Sequence, residues 1–374
     1  MLECFTGGYD MDRVVETFIS LVKIDSPSRH EDEIRRQLIV ALRKRGGKVR
    51  IDKKGNIHGV FTGLLANGPI LLFNAHMDTV VPGNGVKPII LKDRITSDGT
   101  TVLGADDKAG LAGLLEMLTL LHEKKVLYKQ IKVIITVEEE IGLQGAKALK
   151  FDDVKADYCF VLDSDGDVGS IVVKAPAQEI ITATITGRAA HAGLNPEAGI
   201  SAIKIAAEAI TKMKVGRIDA ETTANVGVIK GGVATNIIPE DVQIKAEARS
   251  HSETKLQKQL RDMKTALRMA AEKNGGNVDI EVRRSYNSVN VSKTAKIVEI
   301  TTQASKKLKL NHQIFSSGGG SDASIIFGYG IPTVGLCIGM AEVHSKKEYI
   351  TLKNLTTLPK YLVSIVEAAY GHRA

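Results

Sequence analysis

With 374 residues, 43% of them hydrophobic, the chain can bury one large core or two ordinary ones; aromatics are only 4% and Trp is absent, so that core rests on Ile, Val, Leu and Ala. The net charge of +7 is modest and its carriers are scattered, as in Glu123-Lys124-Lys125 and Lys306-Lys307, which argues against a nucleic-acid partner. No run approaches the ~20 apolar residues of a membrane span, and the sparse, odd cysteine set (Cys4, Cys159, Cys337), without an export pattern, predicts a cytoplasmic protein with no membrane partner.

In chain order, the first ten residues, with Gly7-Gly8, read as a poorly structured extension. Helical periodicity covers 11–22, and Ser28-Arg29-His30-Glu31 reads as a capping box opening a second helix toward Lys44. Short strands follow at 48–52 and 58–61. The apolar run 69–75 stops at His76-Met77-Asp78, and 108–122 reads as a helix. The run 131–137 stops at Glu138-Glu139-Glu140, and 158–162 stops at Asp163. Apolar strands alternating with helices predict an α/β fold whose mostly parallel central sheet is flanked by helices, with ligands outside the carboxyl ends of the strands. Past Ala175-Pro176 the pattern changes to alternation at 179–187, a helix at 199–213, strands at 224–229 and 242–249, a helix at 253–273 and a strand at 278–284. This predicts an inserted α+β (βαββαβ) domain at 177–286 between two parts of a catalytic domain, 1–176 and 287–374. A helix at 293–307, the run Gly318-Gly319-Gly320, a short helix and a strand at 333–338 complete the chain.

The strand ends carry the candidate chemistry. In His76-Met77-Asp78, spacing of two puts both side chains on one side, so that Asp78 can accept a hydrogen bond from the imidazole and fix its tautomer; alone, the pair is an ordinary strand-end motif. In Gly104-Ala105-Asp106-Asp107-Lys108-Ala109-Gly110, Asp107 can cap the following helix and leave Asp106 free to bridge two cations. The three glutamates repel one another unless cations or water intervene; one can bind metal while a neighbour serves as general base. Asp163 adds an oxygen ligand and His344 a nitrogen. The set His76, Asp106, Glu140, Asp163 and His344 suits Zn²⁺, with Co²⁺ or Mn²⁺ as substitutes, and the lack of a cysteine ligand disfavours a structural zinc.

Taken in order, H-M-D-T-V, G-A-D-D-K-A-G, E-E-E-I-G, V-L-D-S-D-G and V-H-S-K-K-E-Y resemble the metal-site motifs of the di-zinc peptidase superfamily that includes peptidase T, carboxypeptidase G, aminoacylase and succinyl-diaminopimelate desuccinylase. The resemblance implies two zinc ions, one on His76 and Asp163, the other on Glu140 and His344, with Asp106 bridging. It implies that Asp78 orients His76, that Glu139 is the general base, and that the Asp106–Asp107 bond is cis. It also makes the inserted block a lid and dimerisation domain whose G-R-A-A-H-A-G segment brings His191 to substrate, often across a homodimer. Asn236 and Arg249 match positions that hold substrate, although a turn residue before Pro239 and a paired surface arginine are equally plain readings. Gly318–Asp322 resembles a loop bordering the substrate pocket. Aspartate at 163 favours the peptidase T branch: hydrolysis of the N-terminal bond of short peptides, tripeptides among them. The alternatives are a carboxypeptidase or N-acyl-amino-acid deacylase of the same superfamily, and an inactive metal-stabilised binding protein.

Overall fold

The computed structural model describes residues 12–371; the expected N-terminal extension lies outside them. The chain divides into two compact units. The first comprises residues up to Val173, Val291–Ser316 and those from Ser321 on; the second comprises Lys174–Asn290 and Ser317–Gly320. The second unit thus takes in most of the triple-glycine loop as well as the block read as an insertion.

The first unit is built on a mixed sheet whose strands run in the order Lys48–Ile51, Ile57–Thr62, Gln130–Thr136, Ile70–His76, Tyr158–Ser164, Thr333–Cys337 and Ile171–Ala175. The four strands from Gln130–Thr136 to Thr333–Cys337 are mutually parallel, and those flanking them are antiparallel. Sequence predicts the parallel centre because these strands are apolar on both faces: Leu71, Leu72 and Phe73 are all fully buried. One face carries the helices Ala105–Glu123, Lys296–Lys307 and Leu352–Ala369. On the other, Leu72, Ile134 and Val161 pack with Ala146, Leu149, Ile326 and Ile331. The Ala105–Glu123 helix is buried over most of its length. It comes so close to Leu352–Ala369 that a Cβ on Gly113 would lie 2.5 Å from Leu358. Among the described residues no helix is long and apolar enough to cross a membrane.

Parallel register brings His76 level with Thr136, so the chain leaves three neighbouring strands at one edge, through Met77-Asp78, Glu138-Glu139-Glu140 and Asp163-Ser164. A second, small antiparallel sheet, in the order Met340–Ala341, Tyr349–Thr351, Arg94–Ser97 and Pro88–Ile90, was not legible in the sequence. Its strands are two to four residues long, too short to carry a period. It holds the loop that bears His344 and Glu348.

The second unit is a five-stranded antiparallel sheet in the order Gly216–Arg217, Thr222–Gly231, Asp241–Ser250, Ala177–Thr186 and Asn277–Tyr286. Ile181, Ala183, Ile185, Val242 and Ile244 meet Ile205, Leu256, Leu260 and Leu267 from the helices Ala202–Lys212 and Glu253–Lys273. The two-residue strand Gly216–Arg217 is additional to the four expected.

Two expected helix caps are absent. The helix Asp32–Lys44 starts after Glu31 with no side-chain cap, so Ser28 and Glu31 do not form a capping box. Asp107 does not cap the helix it precedes: the helical span opens at Ala105, and Asp106 and Asp107 are non-helical within it. In each case a main-chain amide far away in sequence donates to the carboxylate instead.

Candidate metal and catalytic site

His76 ends its strand 2% exposed, with Nε2 2.9 Å from Asp106 Oδ1. Nδ1 lies 3.3 Å from Asp78 Oδ1 but without the alignment of a hydrogen bond. Asp106 is delivered by a loop that Glu348 organises. Buried Glu348 accepts from Leu103 N and Gly104 N through Oε2, both at 2.8 Å, and from Asp106 N through Oε1 at 3.0 Å. Gly104 sits at φ +76°, where a side chain would be strained. The Asp106–Asp107 peptide is cis, as the resemblance implied. Asp107 Oδ2 then accepts from His76 N at 3.1 Å, which ties the Asp106 loop to the end of the His76 strand.

His344 comes from the loop between strands of the small sheet. Its Nε2 is 3.1 Å from both Asp106 Oδ2 and Glu140 Oε2. Asp106 therefore spans the two imidazoles, one on each carboxylate oxygen. Donor atoms of His76, Asp106 and Glu140 all lie within 4.8 Å of one another. Asp163, at the end of its own strand, is half-buried.

Asp78 does more than face His76. It accepts from Glu139 N at Oδ1 (3.0 Å), and from Glu140 N (3.2 Å) and Ser28 Oγ (2.6 Å) at Oδ2. Glu138 is not a solvated bystander: Lys54 Nζ donates to its Oε1 at 2.6 Å. Behind the cluster, buried Asp322 accepts from Thr136 Oγ1 and from Asn74 Nδ2 (3.3 Å).

The charge is unbalanced. Burial, reinforced by Asp163, raises the Glu139 carboxyl well above its usual range. Burial with Asp106 does the same to Asp163, and burial raises Asp107 against the pull of His76. Asp106 is the exception: burial pushes it up, but the His344 and His76 bonds outweigh this and hold it low. Hydrogen bonds to Asp106 and Glu140 lift His344 to about 10. Burial opposes a charge on His76, yet Asp106 and Asp78 keep it well above 6.5. The imidazole protons thus occupy the place of positive charge among crowded acids. His76 Nδ1, Asp107 Oδ1 and Glu140 Oε1 are buried without a hydrogen-bond partner. Such a mixed nitrogen and oxygen set, short of positive charge and with a spare carboxylate oxygen, fits divalent cations.

Residues 72–368 match the peptidase family M20/M25/M40. The chain belongs to that family. It is 44% identical over 364 residues to the uncharacterised protein YqjE of Bacillus subtilis (strain 168), a match covering 96% of this chain and 98% of the relative. The crystal structure of aminopeptidase PepT from Bacillus cereus ATCC 10987 superposes with a TM-score of 0.87 at 44% identity, covering 96% of this chain and 98% of that one. A tripeptidase from Staphylococcus aureus subsp. aureus Mu50 superposes with a TM-score of 0.90 at 39% identity, with the same coverage. This M20-family chain is a peptidase-class hydrolase with the α/β fold that the motifs predict.

Of the residues predicted for the site, the first unit brings together His76, Asp78, Asp106, Glu140 and His344 by direct contact. Glu139 and Asp163 join them electrostatically. His191, Asn236 and Arg249 belong to the second unit. Exposed His191 accepts at Nδ1 from Gly193 N (3.2 Å) and Leu194 N (3.1 Å). Its loop is joined to that of exposed Asn236 through Ala192 N and Asn236 O at 2.9 Å. Arg249 is engaged with Glu247 by two bonds, of 2.9 and 3.1 Å. The sequence does not single out Glu348 or Glu31, and Asp322 enters it only as the last residue of the Gly318–Asp322 loop. Glu348 lies within V-H-S-K-K-E-Y, four residues beyond the histidine, and Glu31 carries the local signature of a helix cap.

Proposed function

We propose that the chain is an aminopeptidase for short peptides, tripeptides among them, working with two divalent cations, zinc first. The observation that carries this is Asp106, which offers one carboxylate oxygen to His76 and the other to His344 and so is arranged to bridge. His76 and Asp163 would hold one cation, and Glu140 and His344 the other. Bound there, the cations would supply Lewis-acid polarisation of the amide and acidify a water.

The remaining work falls to the chain itself. Glu139 takes a proton from the attacking water and returns it to the leaving amine; its raised pKa suits a group that must hold that proton in mid-reaction. Asp78 fixes the Glu139–Glu140 backbone and faces His76, so base and ligand move as one piece. In the second unit, Nδ1 of His191 is an acceptor, which leaves the proton on Nε2 and makes that edge a donor for a substrate carbonyl or its developing oxyanion. We assign Asn236 and Arg249 to substrate as well, Arg249 with its Glu247 partner. The exposed apolar Val228, Ile229, Val233 and Ile237 support pairing of two copies through this unit. The sparse cysteines favour a cytoplasmic working place.

The deciding experiment is a panel of di- and tripeptides and N-acyl amino acids, with Zn²⁺, Co²⁺ or Mn²⁺, read by mass. N-acetylation should abolish turnover of a good tripeptide, while C-terminal amidation should matter less. The reverse result would move the chain to the carboxypeptidase or deacylase class, and turnover of nothing under any metal would favour a binding protein.

A further inference from the structure

The turn that presents Glu139 and Glu140 is built in an unusual way. Three successive main-chain amides, those of Glu138, Glu139 and Glu140, donate to buried carboxylates: Glu31 Oε1 at 3.0 Å, Asp78 Oδ1 at 3.0 Å and Asp78 Oδ2 at 3.2 Å. The carbonyls on the other side of the turn are also taken. Val137 O accepts from Gly145 N, Glu138 O from Gln144 N, and Glu139 O from Gly142 N and Leu143 N. Glu138 itself sits at φ +51°, a left-handed conformation that a glutamate rarely adopts and that its surroundings must enforce.

We propose that Glu31 is a positioning residue for the reaction: its carboxylate fixes the entry to this turn and thereby aims the Glu139 and Glu140 side chains. Glu31 is 3% exposed and lies more than a hundred residues upstream, in a segment tied to the site at several further points. Ser28 Oγ donates to Asp78, Thr79 N donates to Ser26 O at 2.9 Å, and the fully buried Lys108 donates from Nζ to Ile24 O at 2.9 Å. The segment 24–31 is thus a bracket reaching the Asp78 and Glu138 loops and the start of the Lys108 helix. Within it, Glu31 is the only carboxylate that accepts from the glutamate turn. A turn amide left without its acceptor would favour another conformation of the turn. Rotating Glu138 out of the left-handed region would swing the next two side chains. A small misplacement of a general base is costly, because proton transfer needs it within hydrogen-bond reach.

This rests on the reading of Glu139 as proton shuttle and Glu140 as cation ligand. Its test compares Glu31→Gln, which keeps an acceptor oxygen, with Glu31→Met, which keeps length and takes a buried charge out of the fold. Full-length enzyme would be assayed for kcat and KM, and Co²⁺ binding to apoenzyme measured by calorimetry. Glu31→Gln should stay within about threefold of wild type in both. Glu31→Met should lose at least about tenfold in kcat with KM little changed, and bind Co²⁺ more weakly, while retaining its fold by circular dichroism. A Met variant equal to wild type would overturn the proposal, as would one that cannot fold, since the bond would then serve stability alone. Equal damage in Gln and Met would also overturn it. If Glu139→Gln proves silent, the reading of the site fails independently, and Co²⁺ affinity still scores Glu31 through Glu140.

Discussion

In the first unit Asp107, Asp322 and Glu348 are buried and Glu139 and Asp163 half-buried, and burial raises the pKa of every one. In the second unit partly exposed Glu208 receives Lys212 Nζ at 2.9 Å, Lys273 Nζ at 2.7 Å and Asn274 Nδ2 at 2.9 Å, and these bonds hold it down at about 2. The same functional group is destabilised as an anion in one place and favoured in the other. Acids that lack positive charge in a buried cluster are arranged for cations and proton transfer. Acids paired with lysines in water lend the surface a little cohesion and are screened. The contrast separates residues whose loss should remove chemistry from those whose loss should barely register.

The largest effect belongs to Asp106→Ala. It should abolish activity and empty the cluster of cations, to be checked by elemental analysis of purified protein; a fully loaded variant would undo the bridging role. Next comes Glu139→Gln, for which kcat should fall about 10²–10⁴-fold while cation content stays near normal. Loss of cation instead would turn Glu139 into a ligand and move the base to a neighbouring glutamate.

The third effect is pH dependence of loading. His344, raised to about 10 by its bonds to Asp106 and Glu140, must release its proton to ligate. Divalent-cation affinity should therefore rise with pH up to that value, by about tenfold per pH unit for each proton displaced. Calorimetry in buffers of different ionisation enthalpy measures that proton release; an affinity flat from pH 6 to 9 would contradict it.

In the second unit His191→Ala should weaken transition-state binding by about tenfold or more without changing cation content, if the imidazole donates to substrate. Mixing His191→Ala chains with Glu139→Gln chains should restore part of the activity if the residue works across a homodimer. The smallest effect is expected of Glu208→Gln. Because the folded-state pKa of Glu208 is depressed, its contribution is present above the ordinary glutamate value of 4.5 and disappears as pH falls through about 2. The gap in Tm between wild type and variant should be small at neutral pH and close across that window. A large loss of activity would erase the distinction between the two units.

Three of the candidate site residues are legible because strand ends break an apolar run abruptly. His76, Glu140 and Asp163 each follow a stretch of β-branched or aliphatic side chains, and the short periods of strands leave such stops visible. The parallel centre followed from strands apolar on both faces. The caps are not decided locally, because a carboxylate before a helix has the same local signature whether it turns to its own helix or to a distant amide. Asp107 turned to His76 N and Glu31 to Glu138 N, each a long-range choice that no local pattern records.

By itself the sequence determined most of the longer helices and strands, where the apolar strands stop and which side chains stand at those stops, because these depend on periodicity and short-range chemistry. Only the tertiary structure decided the partners of the buried carboxylates. Glu348 is more than two hundred residues from the amides of Leu103, Gly104 and Asp106 that it gathers, and Asp78 is about sixty from the two glutamate amides it holds. A buried amide must find an acceptor, but which of many acids supplies it is settled by how the strands and loops come together in space.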